Sequence, residues 1–203
     1  MDDRFSLTQL DVLKEIGTIG AANAATALAD LVRAKVEINV PEVNIVPLEN
    51  VARLLDSADK LYFVLDMEIN GDVLGRIFLL LSPEDAKLLG SHLLGKPVEE
   101  LDYKDDMFQS ALKESANILC SSYITSLADM TKLTILSSVP TLAMDMVGAI
   151  LDFIFIQIAQ YSEEALFVKT NLKVEGENMH GLFLFFPSSD SLRKIFEILG
   201  VKE

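Results

Sequence analysis

A carboxylate and a carboxamide three residues apart, Glu114 and Asn117, are the side chains of this chain best spaced to act together. On a helix, positions i and i+3 lie about one turn apart on the same strip. Ser110 falls one turn earlier on that strip. The carboxylate can hold a cationic side chain, and the amide, both donor and acceptor at fixed separation, can orient a water beside it. Phosphoryl transfer needs an attacking water in line with the departing oxygen, and side-chain amides place such waters in GTPases. The pair offers no easy route to a covalent intermediate. Taken alone, Glu-x-x-Asn is a weak signal, because most such pairs are simply the wet face of a helix.

Repetition gives the pair its weight. Shifting the sequence by 99 residues superposes Asp11-Val-Leu-Lys-Glu15-Ile-Gly-Thr18 on Ser110-Ala-Leu-Lys-Glu114-Ser-Ala-Asn117. With 22 residues between, each copy then reaches a proline, Pro41 or Pro140. Ten identities fall in 31 ungapped positions, including Leu13, Lys14, Glu15, Ile19, Thr26 and Leu28-Ala29-Asp30. That reads as an internal duplication. The difference that bears on chemistry is Thr18 in the place of Asn117.

The elements that must position these residues also repeat. Each half opens on a helix, with capping boxes read at Ser6-x-x-Gln9 and Asp106-x-x-Gln109. Leu7, Leu10, Leu13, Gly17, Gly20 and Ala24 keep helical spacing, as do Leu112, Ala116, Leu119 and Tyr123. Those core positions leave Glu114 and Asn117 facing solvent. Both helices should end near Arg33 and Lys132. Val36–Val40 and Thr134-Ile-Leu then read as strands, closed by Pro41 and Pro140 for want of an amide. Hairpins follow at Tyr62–Leu81 and Leu166–Phe186, each with a glycine in its turn, Gly71 or Gly176. Short helices end at Gly95 and Gly200. The acidic stretch Lys96–Asp106 joins the halves. The expected fold is α/β of the α+β kind, internally duplicated and pseudo-two-fold, with a mainly antiparallel sheet and both repeated helices exposed on one side. The chain reads as a single domain, residues 1–203, made of repeats over about 6–95 and 106–200.

Thirty-one acidic against 17 basic side chains give a formal charge of −14, which opposes binding to nucleic acid phosphates or anionic lipid. Half the residues are hydrophobic, ample for a large core. The single cysteine, Cys120, excludes an internal disulfide and reads as a small buried residue. No signal peptide is visible at the N-terminus, and the apolar run Met146–Ala159 is short for a bilayer and broken by Asp152. A cytoplasmic protein without membrane insertion is expected, and the internal symmetry makes a monomer plausible. His92 and His180 lack metal-ligand spacing, and no P-loop is present.

With these motifs in place, the sequence resembles the CheC/CheX/FliY family of phosphatases that act on the chemotaxis regulator CheY. The family pattern is Asp/Ser, three residues, Glu, two residues, Asn, 22 residues, Pro. Ser110, Glu114, Asn117 and Pro140 match it in full; Asp11, Glu15 and Pro41 match it apart from Thr18. Two copies favour the CheC branch over CheX, and nothing after residue 203 corresponds to FliY's additional switch-binding domain. The resemblance implies that Glu114 anchors the lysine at the phosphorylation site of CheY and that Asn117 aligns the hydrolytic water. It implies no cofactor of the chain's own, the Mg²⁺ being supplied by phosphorylated CheY. Ser110 and Pro140 are assigned structural roles, and Glu15/Thr18 is expected to dock weakly or catalyse poorly.

The resemblance implies a second partner, the receptor deamidase CheD, docking around Met144–Ile150. Asp145, Met146 and Ile150 are the contact candidates there. On the residues alone this segment reads as a buried core helix that Asp145 could equally cap. A non-catalytic CheD-binding module with weak phosphatase activity is the alternative, and a structural flagellar-switch component a more distant one.

Overall fold

A computed structural model describes residues 6–47, 50–51, 55, 58–158 and 164–201. The first half contains α1 (Leu7–Val32), β1 (Val36–Pro47), β2 (Leu61–Gly71), β3 (Gly75–Leu81) and α2 (Pro83–Leu94). The second contains α3 (Asp106–Thr131), β4 (Ile135–Ser137), β5 (Thr141–Met146), α4 (Val147–Ile158), β6 (Glu164–Val174), β7 (Glu177–Pro187) and α5 (Ser189–Ile198).

All strands join one antiparallel sheet in the order β1-β6-β7-β3-β2-β4, with β5 also on β2. The halves exchange strands. The first half's β1 lies on the second half's hairpin, and β4 with β5 lies on the first half's hairpin. The turns lock this exchange: Asp72 N–H donates to the Thr134 carbonyl at 2.8 Å, and Glu175 N–H to the Lys35 carbonyl at 3.2 Å. Lys35 and Thr134 are equivalents under the 99-residue shift. The Thr134 amide and Lys194 both donate to the Asp72 carboxylate, and hold its pKa below the ordinary value.

Alternation along the strands divides the core. Phe63, Leu65, Met67, Ile77, Leu79, Phe183 and Phe185 face α1, α2, α3 and α5. Val64, Phe78, Leu80, Leu184 and Phe186 face α4 through Val147, Ile150, Leu151 and Ile154. Both repeated helices therefore lie on one side of the sheet, as the sequence suggests.

Three local expectations change. Pro41 does not end its strand: β1 runs on to Pro47, with its register slipping between Asn39 and Glu42. An edge strand tolerates a missing amide at such an irregularity. Beyond Pro140 the chain likewise returns to the same edge as β5. The segment Met144–Met146, expected within a helix, is thus strand, and α4 begins only at Val147. Asp145 caps no helix N-terminus; its carboxylate accepts from the Met146 amide at 2.8 Å. Finally, the cap of α3 is Asp105, which accepts from the Met107 amide at 2.9 Å. Gln109 turns back to donate to the Tyr103 carbonyl instead of closing a box. The Ser6/Gln9 box of α1 forms in full.

Candidate functional site

The two site-bearing helices owe their positions to buried contacts on their inner faces. Phe108, fully buried, pins the start of α3 against Phe63 and Tyr103, at ring centroids 6.0 and 5.9 Å away. Gly90 of α2 admits that ring, since a Cβ there would lie 2.5 Å from Phe108 Cε2. Further along, α1 meets α3 backbone to backbone: a Cβ on Gly20 would lie 2.9 Å from Tyr123 Cα. Both helices then stop in left-handed residues, Arg33 (φ 55°) and Lys132 (φ 60°), whose amides bond back to Ala29 and Ala128. Those stops match the sequence reading.

Leu112, Ser115, Ala116 and Cys120 fill the inner face of α3. Ser110 and Glu114 are left exposed and Asn117 half-buried, on one strip. Asn117 Oδ1 accepts from Ser121 Oγ at 3.3 Å, one turn farther on. That bond turns the amide oxygen along the helix and leaves the NH₂ as the outward group. Pro140 is buried. Ser121 was missed in the sequence, although its i+4 spacing from Asn117 is the available signal.

The first copy differs in detail. Asp11, Glu15 and Thr18 are all exposed on α1. Thr18 Oγ1 donates to the Lys14 carbonyl at 2.9 Å, so its proton is committed to its own helix. The residue corresponding to Ser121 is Ala22. The first strip thus lacks both members of the amide–hydroxyl pair.

The remaining candidates sit elsewhere. Asp145 and Met146 are exposed on β5, whereas Ile150 is 2% exposed and packs inward with α4. His92 pairs with Glu177 at 2.8 Å and His180 Nδ1 with Asn171 at 3.0 Å. Among the described residues, no helix is long and apolar enough to cross a membrane.

A model described as the CheC-like family matches residues 9–45 and 107–144, one segment in each repeat. The CheY-P phosphatase CheC of Bacillus subtilis is 32% identical over 197 residues, covering 95% of this chain and 94% of its own. The chain belongs to the CheC-like family. The fold agrees: Thermotoga maritima FliY superposes with a TM-score of 0.77 at 23% identity, covering 98% of this chain and all of that one. The FliM middle domain of H. pylori gives 0.65 at 14% identity, covering 96% and 99%. The architecture is therefore shared with FliY and the FliM middle domain, while the sequence kinship is to CheC. The family match spans both site strips, including Glu15, Thr18, Glu114 and Asn117.

Proposed function

We propose that this CheC-like chain hydrolyses the phosphoaspartate of a CheY-type response regulator, by direct attack of a positioned water. Glu114 holds a lysine of the regulator, and Asn117 places the water in line with the leaving carboxylate. The regulator carries the Mg²⁺; this chain contributes no cofactor. The observation that carries the reading is the exposed Glu114–Asn117 strip, whose amide is oriented by Ser121. A preset amide loses little freedom on reaching the transition state, which is where such groups contribute most. The B. subtilis relative bears the name of this activity.

Within the same proposal, Glu15/Thr18 is a weaker second strip, and residues 1–203 act as one two-repeat domain, monomeric and cytoplasmic. CheD docks on the β5 edge, where Asp145 and Met146 are exposed and, among the described residues, β2 is the only strand paired with β5. Ile150, being buried, would support that surface from beneath.

The test is the decay of phosphorylated CheY with Mg²⁺, with and without this protein. Acceleration should fall by about 10²–10³ in Asn117→Ala, the usual cost of one transition-state hydrogen bond. Asn117→Ala at full activity alongside an inactive Glu15→Ala would reverse the assignment of the strips.

A further inference from the structure

We infer that the open groove on the α4 side of the sheet, at the end where α2 begins, binds the zwitterion of a small apolar α-amino acid. Strand register places its parts. Lys169 of β6 pairs with Leu182 of β7, and Leu182 in turn with Leu80 of β3, so the three side chains stand in one row on one face. That face is the one α4 covers, since Leu80 and Leu182 pack with the core beneath it. The helix leaves Leu182 half-buried. With Phe167 and Leu55, these leucines give the groove an apolar floor. It holds about 590 Å³ counting its open mouth, within the range of small-molecule sites.

Charge selects the occupant. Lys169, on the groove's own face, has no hydrogen bond or ion pair among the described residues. Glu42 stands opposite it in the β1–β6 register, but that carboxylate accepts from Asn44 at 2.7 Å. Asp85, in the first turn of α2, brings a carboxylate to the same groove. It accepts from the His180 amide at 3.1 Å and from Ser82 Oγ at 2.6 Å, two of the roughly four lone-pair sites a carboxylate offers. Its full negative charge outweighs the roughly half positive charge where α2 begins. His180 and Lys169 are diagonal neighbours on β7 and β6, about 7–8 Å apart. The ammonium and the carboxylate therefore flank one short gap, which no ion pair closes among the described residues. The other polar side chains of the groove are engaged: Ser82 Oγ also accepts from the Asp85 amide, His180 Nδ1 bonds Asn171, and Tyr62 has an interaction of its own. A lone anion would meet Asp85 and a protein of net charge −14, and a lone cation would meet Lys169. A carboxylate for Lys169, an ammonium for Asp85 and a hydrocarbon side chain for Leu80 and Leu182, joined in one small molecule, answer all three.

The test uses the full chain, methyl-labelled for NMR, with leucine as the probe. Leucine should shift the methyl signals of Leu80 and Leu182 saturably. N-acetylleucine, which lacks the ammonium, and leucinamide, which lacks the carboxylate, should each bind about tenfold more weakly, the loss expected for one charged hydrogen bond. Alanine keeps both charges without the hydrocarbon and should also bind at least about tenfold more weakly. Lys169→Met keeps the exposed stem and removes the ammonium. It should weaken leucine about tenfold and leave leucinamide within about twofold. No saturable methyl shift with leucine at millimolar concentration would overturn the inference. So would either derivative binding as tightly as leucine, which would make the groove a site for a single charge, or a folded Lys169→Met that holds leucine undiminished. Should that variant fail to fold, the two derivatives on the unaltered chain decide.

Discussion

Ser121 Oγ donates to Asn117 Oδ1 across 3.3 Å, and the first repeat carries neither partner, having Ala22 and Thr18 in their places. A hydroxyl one turn away gives the amide a fixed hydrogen-bond partner that limits its rotation. In the proposed reaction Ser121 would act through Asn117. Ser121→Ala should lower kcat for the phosphorylated regulator about fivefold, the worth of one neutral hydrogen bond of roughly 1 kcal/mol. KM should hold, since the proposed docking rests on Glu114. Steady-state kinetics separates the two; a rise in KM alone would place Ser121 in the docking surface.

Transplanting the pair tests the same relationship in the other direction. Thr18→Asn by itself supplies an amide with no hydroxyl behind it. Thr18→Asn with Ala22→Ser supplies both, on a helix strip where Glu15 already stands exposed. In an Asn117→Ala background, the double substitution should restore more dephosphorylation than Thr18→Asn alone. Equal recovery by the two would mean that the hydroxyl contributes nothing to orientation.

The helix crossing that sets the two strips relative to each other rests on Gly20. Its missing Cβ would fall 2.9 Å from Tyr123 Cα and 3.2 Å from the Ser122 carbonyl oxygen, both backbone atoms that cannot step aside. Gly20→Ala should cost about 1–3 kcal/mol through forced separation of the helices. Gly17, one turn earlier, meets only side-chain atoms at 3.6–3.8 Å. Gly17→Ala should therefore be neutral or gain up to about 1 kcal/mol of helix preference. Urea melts of both variants give the signs directly.

Much of this architecture was legible because local signals and tertiary demands coincide. The Ser6/Gln9 box, the stops at Arg33 and Lys132 and the glycine turns at Gly71 and Gly176 all follow from backbone chemistry near in sequence. The duplication exposed Glu114 and Asn117 as a pair. The segment after Pro140 was not legible, because β5 is placed by its ladder to β2, some 75–85 residues away. Its residues are almost all exposed, so it lacks the buried–exposed alternation that marks a strand. The strand exchange between halves was equally hidden, since it depends on which hairpin each first strand meets. That Gly20 meets Tyr123 depends on how α1 crosses α3, which neither helix shows alone.

Beneath α4, the apolar face of the sheet carries an ion pair. Arg76 grips Asp66 through two hydrogen bonds, 3.0 and 2.6 Å, while a third reaches Gln157 of α4 at 2.6 Å. Asp66 is 8% and Arg76 24% exposed at the side chain. Arg76→Met should cost about 3–5 kcal/mol, chiefly by leaving the buried carboxylate unpaired. Asp66→Leu combined with Arg76→Met should recover most of that loss, because two apolar side chains need no partners. Thermal or chemical denaturation of the single and double variants measures the difference. A double variant as unstable as the single would show that the Gln157 tether to α4, not charge burial, dominates.

Cys120 supplies a pH dependence of determinate sign. Its burial in α3 pushes the thiol from 9.0 up to about 12, because desolvation disfavours the thiolate. A group raised on folding gives stability that is complete below its unfolded pKa and lost as pH climbs through the folded one. Between about pH 9 and 12 the unfolded chain releases this proton while the folded chain keeps it. Stability should then fall by about 1.4 kcal/mol per pH unit from this residue. Cys120→Ala should shed that component, and its denaturation midpoint should decline less steeply than that of the unaltered protein over the same range. Alkylation by iodoacetamide at pH 8.5 gives an independent reading: the native thiol should react only through opening of α3, and urea should release it to the rate of a free peptide cysteine. Rapid modification of the folded protein, without loss of its helical circular dichroism, would show that Cys120 is reachable from solvent and that the alkaline slope has another source.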